Sequence, residues 1–122
     1  MPKLIKETGR SFAFVRYIAS HQQLLFRSEK GEGGATRAEI LFAPVQFLAI
    51  STLLYEVFNI YTLTAEELAS HVQGLQVPPL GGCTVFGLGG PEVSGVVVAQ
   101  SFTEHEDDGE FWEPSTILRF DP

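Results

Sequence analysis

Gln22-Gln23-Leu24-Leu25-Phe26-Arg27-Ser28 and Arg37-Ala38-Glu39-Ile40-Leu41-Phe42-Ala43 flank the polar turn Glu29-Lys30-Gly31-Glu32-Gly33-Gly34. In the first run Leu24 and Phe26 share one face, and Leu25 and Arg27 share the other. That is the period of two of a β-strand. Glycine supplies the positive φ angles that a hairpin turn needs. Residues 22–43 therefore read as a β-hairpin, and the fold is built outward from it.

Upstream, Ser11–Ile18 alternates Phe12, Phe14 and Arg16 with Ala13, Val15 and Tyr17, which predicts another strand. Downstream, Pro44 has no N–H to donate, which places it at a sheet edge or a bulge. Val45–Ile50 and Tyr55–Leu63 resume the β pattern, with a helix over 45–58 as the weaker alternative. Thr64-Ala65-Glu66-Glu67 is a capping box, with Leu63 and Leu68 placed to form a hydrophobic staple. A short helix over about 65–73 follows, and Gly74 offers its left-handed stop. Gln76–Pro91 is rich in Pro and Gly and reads as irregular, with a short apolar insert at Cys83–Phe86. Val93–Phe102 is apolar on both faces and predicts a central strand, and Ser115–Phe120 predicts a last one. Strands this short and numerous predict a mainly β, antiparallel two-sheet sandwich or partly open barrel with one helix. The length, 122 residues, suits a single domain over 1–122.

Composition narrows the functional classes. Hydrophobic residues make up 44% of the chain and charged ones 19%, which argues for a packed core over disorder. The start carries lysines with no apolar run behind them, unlike a secretory leader. The longest uncharged apolar stretch, Ile40–Tyr55, contains Pro44, Gln46, Ser51 and Thr52 and is shorter than the ~18 residues of a membrane span. The expectation is a soluble cytoplasmic protein with no membrane contact. Net charge is −7, and the charge is unevenly placed: six Lys and Arg stand against two Glu in residues 1–30, whereas two Arg stand against thirteen acids in the remainder. An acidic surface repels phosphate backbones, so no nucleic-acid binding is expected. The basic start can pair with the acidic end inside one fold, or the acidic end can receive a basic protein partner.

The densest ionisable cluster is Glu104-His105-Glu106-Asp107-Asp108-Gly109-Glu110. With Gly109 as the sixth residue of a calcium loop, the twelfth is Ser115 where a bidentate Glu is required, so the EF-hand pattern fails. A looser metal site would use His105, Glu104, Glu106 and Asp107. His21, His71 and His105 form no His-x-His or His-x-x-x-His pair. His21 is expected in an exposed link, and His71 at a helix end, where the macrodipole favours positive charge. Cys83 reads as a small buried hydrophobe, or as a nucleophile if a histidine stands beside it. Gly87-Leu88-Gly89-Gly90 lacks the remaining residues of either phosphate-binding motif and reads as a turn before Pro91. Phe12, Phe14, Phe42, Phe47, Phe58, Phe86 and Phe102 are expected in the core.

These residues point first to a non-enzymatic interaction protein. Its acidic face would use Glu104, Glu106, Asp107, Asp108, Glu110, Phe111 and Trp112 toward a basic protein partner. The first alternative is a small metal- or ligand-binding enzyme with its pocket at one end of the β-structure. The second is a structural homo-oligomer, such as a homodimer, joined through the apolar 40–63 stretch. No cofactor is predicted.

Overall fold

The hairpin at 22–43 lies inside the sheet, and two strands flank it. The computed structural model describes residues 2–31, 35–51, 54–74, 81–110, 112–115 and 117. Its elements are β1 (Lys3–Glu7), β2 (Ala13–Ile18), β3 (Gln23–Ser28), β4 (Arg37–Ala49), β5 (Asn59–Thr62), α1 (Ala65–His71), β6 (Thr84–Gly89) and β7 (Val93–Asp107). The seven strands form one antiparallel sheet in the order β1-β5-β6-β7-β4-β3-β2. The fold is mainly β with one short helix, as expected, and its strands form a single sheet that does not close; a second sheet is not found among the described residues. No helix among the described residues is long and apolar enough to cross a membrane.

The two edge strands, β1 and β2, are consecutive in the chain. Only residues 8–12 join them. Across a flat seven-stranded sheet the edges would stand about 29 Å apart at ~4.8 Å per strand. The chain from Glu7 to Ala13 reaches at most about 22 Å when fully extended. The sheet must therefore curl. The corner is held by Thr8, whose hydroxyl donates to the Phe58 carbonyl at 2.6 Å, and by paired backbone bonds between Phe12 and Tyr55 at 3.0 and 2.8 Å.

Curling gives the sheet a concave face, and aromatic rings fill it. Phe26 packs against Phe58 with centroids 5.0 Å apart, and Phe58 packs against Phe12 at 4.9 Å. On the other side Phe42 meets Phe86 at 5.3 Å and Phe102 at 5.7 Å. Leu24, Ile40, Ile60, Leu88 and Val97 complete this cluster. Of the predicted core phenylalanines, Phe12, Phe42, Phe58 and Phe86 are buried, Phe14 and Phe102 are half-buried at this cluster's margins, and Phe47 is half-buried against the cluster on the opposite face. The convex face carries a second cluster of Val85, Val96 and Val98, covered by Leu63, Leu68 and Val72 from α1 and its flanks.

The helix is as its sequence predicts. The Glu67 N–H donates to the Thr64 hydroxyl at 3.1 Å, and the Thr64 N–H donates to the Glu67 carboxylate at 2.9 Å. His71 lies in its last turn, and Gly74 has φ of +80°. Cys83 is half-buried against the same convex cluster, in keeping with the packing reading.

Four strand assignments change. Residues 37–49 form one strand through Pro44, which lies past the last β3 partner, Phe42, and beside a register shift against β7. Pro44 therefore does not break the strand, the irregularity lies just after it between Val45 and Phe47, and 45–49 is strand throughout. Residues 84–89 form β6, a strand where the glycine run predicted a turn. A methyl at Gly87 would meet Val93 at 3.0 Å and Leu63 at 3.2 Å, so this glycine permits close packing. The strand predicted over Tyr55–Leu63 is confined to Asn59–Thr62, and β1 carries too much charge to show the β pattern. The predicted strand Ser115–Phe120 lies largely outside the described residues.

The two halves of the helix argument separate by mutation. Leu68→Ala removes a buried contact between α1 and the sheet and should lower the unfolding free energy by roughly 2–5 kcal/mol. Thr64→Ala removes only the cap and should cost about 1 kcal/mol. Urea denaturation of the two variants measures both, and equal losses would contradict this division.

Candidate interaction site

β4 and β7 run side by side from Arg37 opposite Asp107 to Ala43 opposite Ser101. Ala38, Ile40 and Phe42 face the concave core. Alternation then puts Arg37, Glu39 and Leu41 on the convex face, beyond the reach of α1. Arg37 is 1% exposed. A buried guanidinium needs partners for its five N–H groups. Nε and one Nη2 hydrogen go to the two Asp107 carboxylate oxygens, each at 2.9 Å. The others go to the carbonyls of Glu110 at 3.2 Å, Glu113 at 2.8 Å and Pro114 at 3.2 Å. All five donors are used.

The segment after β7 is thus wrapped around Arg37. Gly109 makes this possible, because a methyl group there would overlap the guanidinium. Its N–H donates to Asp107 at 2.8 Å. Between the Glu110 and Glu113 carbonyls the chain makes a tight turn. The Glu113 N–H donates to the Glu110 carbonyl at 2.9 Å, and the Glu110 N–H donates to the Glu113 carboxylate at 3.1 Å. Beside Arg37 on the same face, the buried Glu39 takes Arg27 at 2.9 Å on one oxygen and the Ser115 hydroxyl at 3.0 Å on the other. Two buried charged residues of β4 therefore anchor residues 107–115.

The predicted acidic face divides under this geometry. The first part of the acidic run is strand, because β7 extends past the predicted end at Phe102 to Asp107 by pairing with β4. Glu104 and Glu106 point to the concave side; Glu104 pairs with Lys6 at 3.2 Å, and Glu106 accepts from the Thr36 hydroxyl at 2.9 Å. Asp107 belongs to Arg37, and Glu110 pairs with Lys30 at 3.0 Å. Pairs such as Lys6–Glu104 and Lys30–Glu110 join the basic start to the acidic end. Asp108 and Glu113 are exposed. Trp112 is 68% exposed, and Phe111 lies outside the described residues.

The four residues of the metal alternative also divide. The His105 ring stands 3.5 Å from Asp107, on the face that strand alternation sets opposite the Glu104 and Glu106 side chains. Among the described residues no group of three or more His, Cys, Asp or Glu side chains is placed to hold a metal ion. The apolar 40–63 stretch supplies core residues, including Ile40, Phe42, Val45, Phe58 and Ile60. Its exposed large hydrophobic residues, among those described, are Leu54 and Val57. Both edge strands, β1 and β2, carry a register shift near their middle, at Ile5 and Val15. Such bulges oppose the addition of further strands.

The Arg37 cage was not anticipated from the sequence. Its signal is the pair Arg37 and Glu39, two residues apart on one face of a strand that is otherwise apolar. Comparison with protein-family models, with curated proteins and with solved structures finds no match to this chain.

The cage has a titration signature. The Arg37 hydrogen bonds hold the Asp107 carboxyl down to about 2 from an ordinary 3.8, with a further contribution from the Gly109 N–H and against the opposing effect of burial. A carboxyl lowered on folding stabilises the protein fully above its unfolded pKa and loses that contribution as pH falls through the folded one. The expected loss is on the order of 2 kcal/mol between about pH 5 and pH 2. Denaturant melts across this range should show a shallower decline in Asp107→Asn than in the parent. Parallel declines would contradict the assignment.

Proposed function

We propose that this chain is a non-enzymatic interaction protein whose contact surface is the Trp112 turn with its flanking acids, and whose partner is a lysine- or arginine-rich protein segment. The observation that carries this reading is an exposed aromatic ring on a backbone anchored by hydrogen bonds. An indole 68% exposed sits on a turn whose backbone is held by three carbonyl bonds to a buried arginine. Apolar aromatic surface in water is costly to maintain, and exposed aromatic anchors are characteristic of interface hot spots. Ordering the turn in advance reduces the entropy lost on binding.

The chemistry of the surroundings selects the partner. Trp112 lies between Glu110 and Glu113, close in the chain to the exposed Asp108. A cationic side chain can stack on the indole face and meet a carboxylate at its rim. An Arg guanidinium suits both contacts better than an ammonium does. The chain's net charge of −7 adds long-range attraction for such a partner.

Trp112 is the only tryptophan, so its emission reports on this turn alone. Titration with a hexa-arginine peptide should produce a saturable change in emission that weakens with added salt. By calorimetry, Trp112→Ala should bind the peptide at least about tenfold more weakly, a loss of ~1.4 kcal/mol. Its melting temperature should stay close to that of the parent, because the ring lies mostly in water. Equal binding by parent and variant would make the attraction a property of net charge alone and would overturn the reading.

A further inference from the structure

The concave side holds a cavity of about 300 Å³ at the end of the curled sheet, where Glu39 and His105 also contribute to the lining. Its floor is apolar, formed by the buried Phe12 and Ile40. Its walls are charged with opposite sign. Lys6 and Arg10 come from β1 and the short connection after it, and Glu104 and Glu106 come from β7. Curling brings these two stretches together, and sequence separation gives no hint of it.

The cationic wall is incompletely satisfied. Arg10 donates to the Ser28 hydroxyl at 3.1 Å, to the Thr36 hydroxyl at 3.2 Å and to the carbonyls of the same two residues. All of these partners are neutral, and one Nη1 hydrogen has no partner among the described residues. The guanidinium is thereby held by four bonds while, among the described residues, no carboxylate stands at ion-pair distance from it. On the other wall Glu106 accepts from Thr36, and Glu104 holds Lys6 at 3.2 Å with both side chains about 40% exposed. An exposed ion pair of this kind contributes little and opens readily.

We propose that this cavity binds a small zwitterion with an apolar side chain, of which a free amino acid such as phenylalanine is the simplest. A ligand with one charge would satisfy one wall and face a like charge on the other. A dipolar ligand meets both: its carboxylate takes Lys6 and the spare Arg10 donor, and its ammonium takes Glu104 and Glu106. The side chain then covers Phe12 and Ile40. The volume is at the small end of ligand pockets, about 300–1,000 Å³, which suits a molecule of amino-acid size. Binding exchanges the Lys6–Glu104 pair for two ligand pairs above a drier floor, where charge-assisted bonds are stronger.

The test uses the full chain with L-phenylalanine, N-acetyl-L-phenylalanine and L-phenylalanine amide, read by saturation-transfer NMR and by backbone amide shifts. The free amino acid should bind saturably at concentrations up to about 10 mM, with shifts at Ala38, Ile40 and Phe12. Each singly blocked derivative should bind about tenfold more weakly. Lys6→Met and Glu104→Gln alter half-exposed side chains, so both should fold, and each should weaken the free amino acid by about fivefold or more. Undiminished binding of either blocked derivative would overturn the zwitterion assignment. So would no saturable binding of the free amino acid, or binding unaffected by both variants. None of these results bears on the Trp112 turn, which lies on the other side of the sheet.

Discussion

Residues 8–12 must carry the chain from one edge of a seven-stranded sheet to the other. That distance limit is the constraint from which the remainder follows. A flat sheet is too wide for the connection, so the strands curl. Curling separates the two faces into unlike environments. The concave face closes over aromatic rings that could not pack together on a flat sheet. The corner itself, Thr8 on Phe58 and Phe12 paired with Tyr55, lies at one end of that ring cluster. The cavity by Lys6 and Arg10 lies where this connection passes over β4 and β7.

The convex face is left to be covered from outside, and the protein does this in two chemically different ways. Over β6 and the first half of β7, α1 lays Leu68 and Val72 on valines, a contact that excludes water but sets no fine geometry. Over the far half of β4, the cover is polar. Arg37 and Glu39 are buried there, and the segment 107–115 supplies their hydrogen-bond partners. A buried ion pair is poor evidence for added stability, because desolvation offsets much of the attraction. What it specifies is direction. Five directed bonds from one planar group fix the path of the chain that meets them, and Trp112 stands on that path.

The sequence was legible where the structure is local and obscure where it is not. The hairpin from Gln22 to Ala43 and the Thr64–Glu67 cap are set by neighbours a few residues apart, and both were readable. The β6 strand was hidden because Gly87 and Gly89 break the apolar alternation, although close packing against Val93 and Leu63 requires a small residue at Gly87. The end of β7 was hidden because Glu104, Glu106 and Asp107 are poor strand formers in isolation. They are strand residues here because β4 offers them a ladder and an arginine. The curl depends on a strand order that no local pattern encodes. Within the acidic segment 104–113, sequence could not tell the carboxylates paired inside the fold, such as Asp107, from those left at the surface, such as Asp108 and Glu113.

The central claim is that Arg37 makes the 109–114 turn a rigid platform. Backbone ¹⁵N relaxation measures this directly. The account predicts order parameters near the rigid value of about 0.85 at Gly109, Glu110 and Glu113 in the parent protein, and a fall toward about 0.6 at the same residues in Asp107→Asn, with β3 and β4 unchanged. Values already below about 0.6 in the parent would contradict it, because a turn that moves freely on this timescale is not held by its three carbonyl bonds to Arg37.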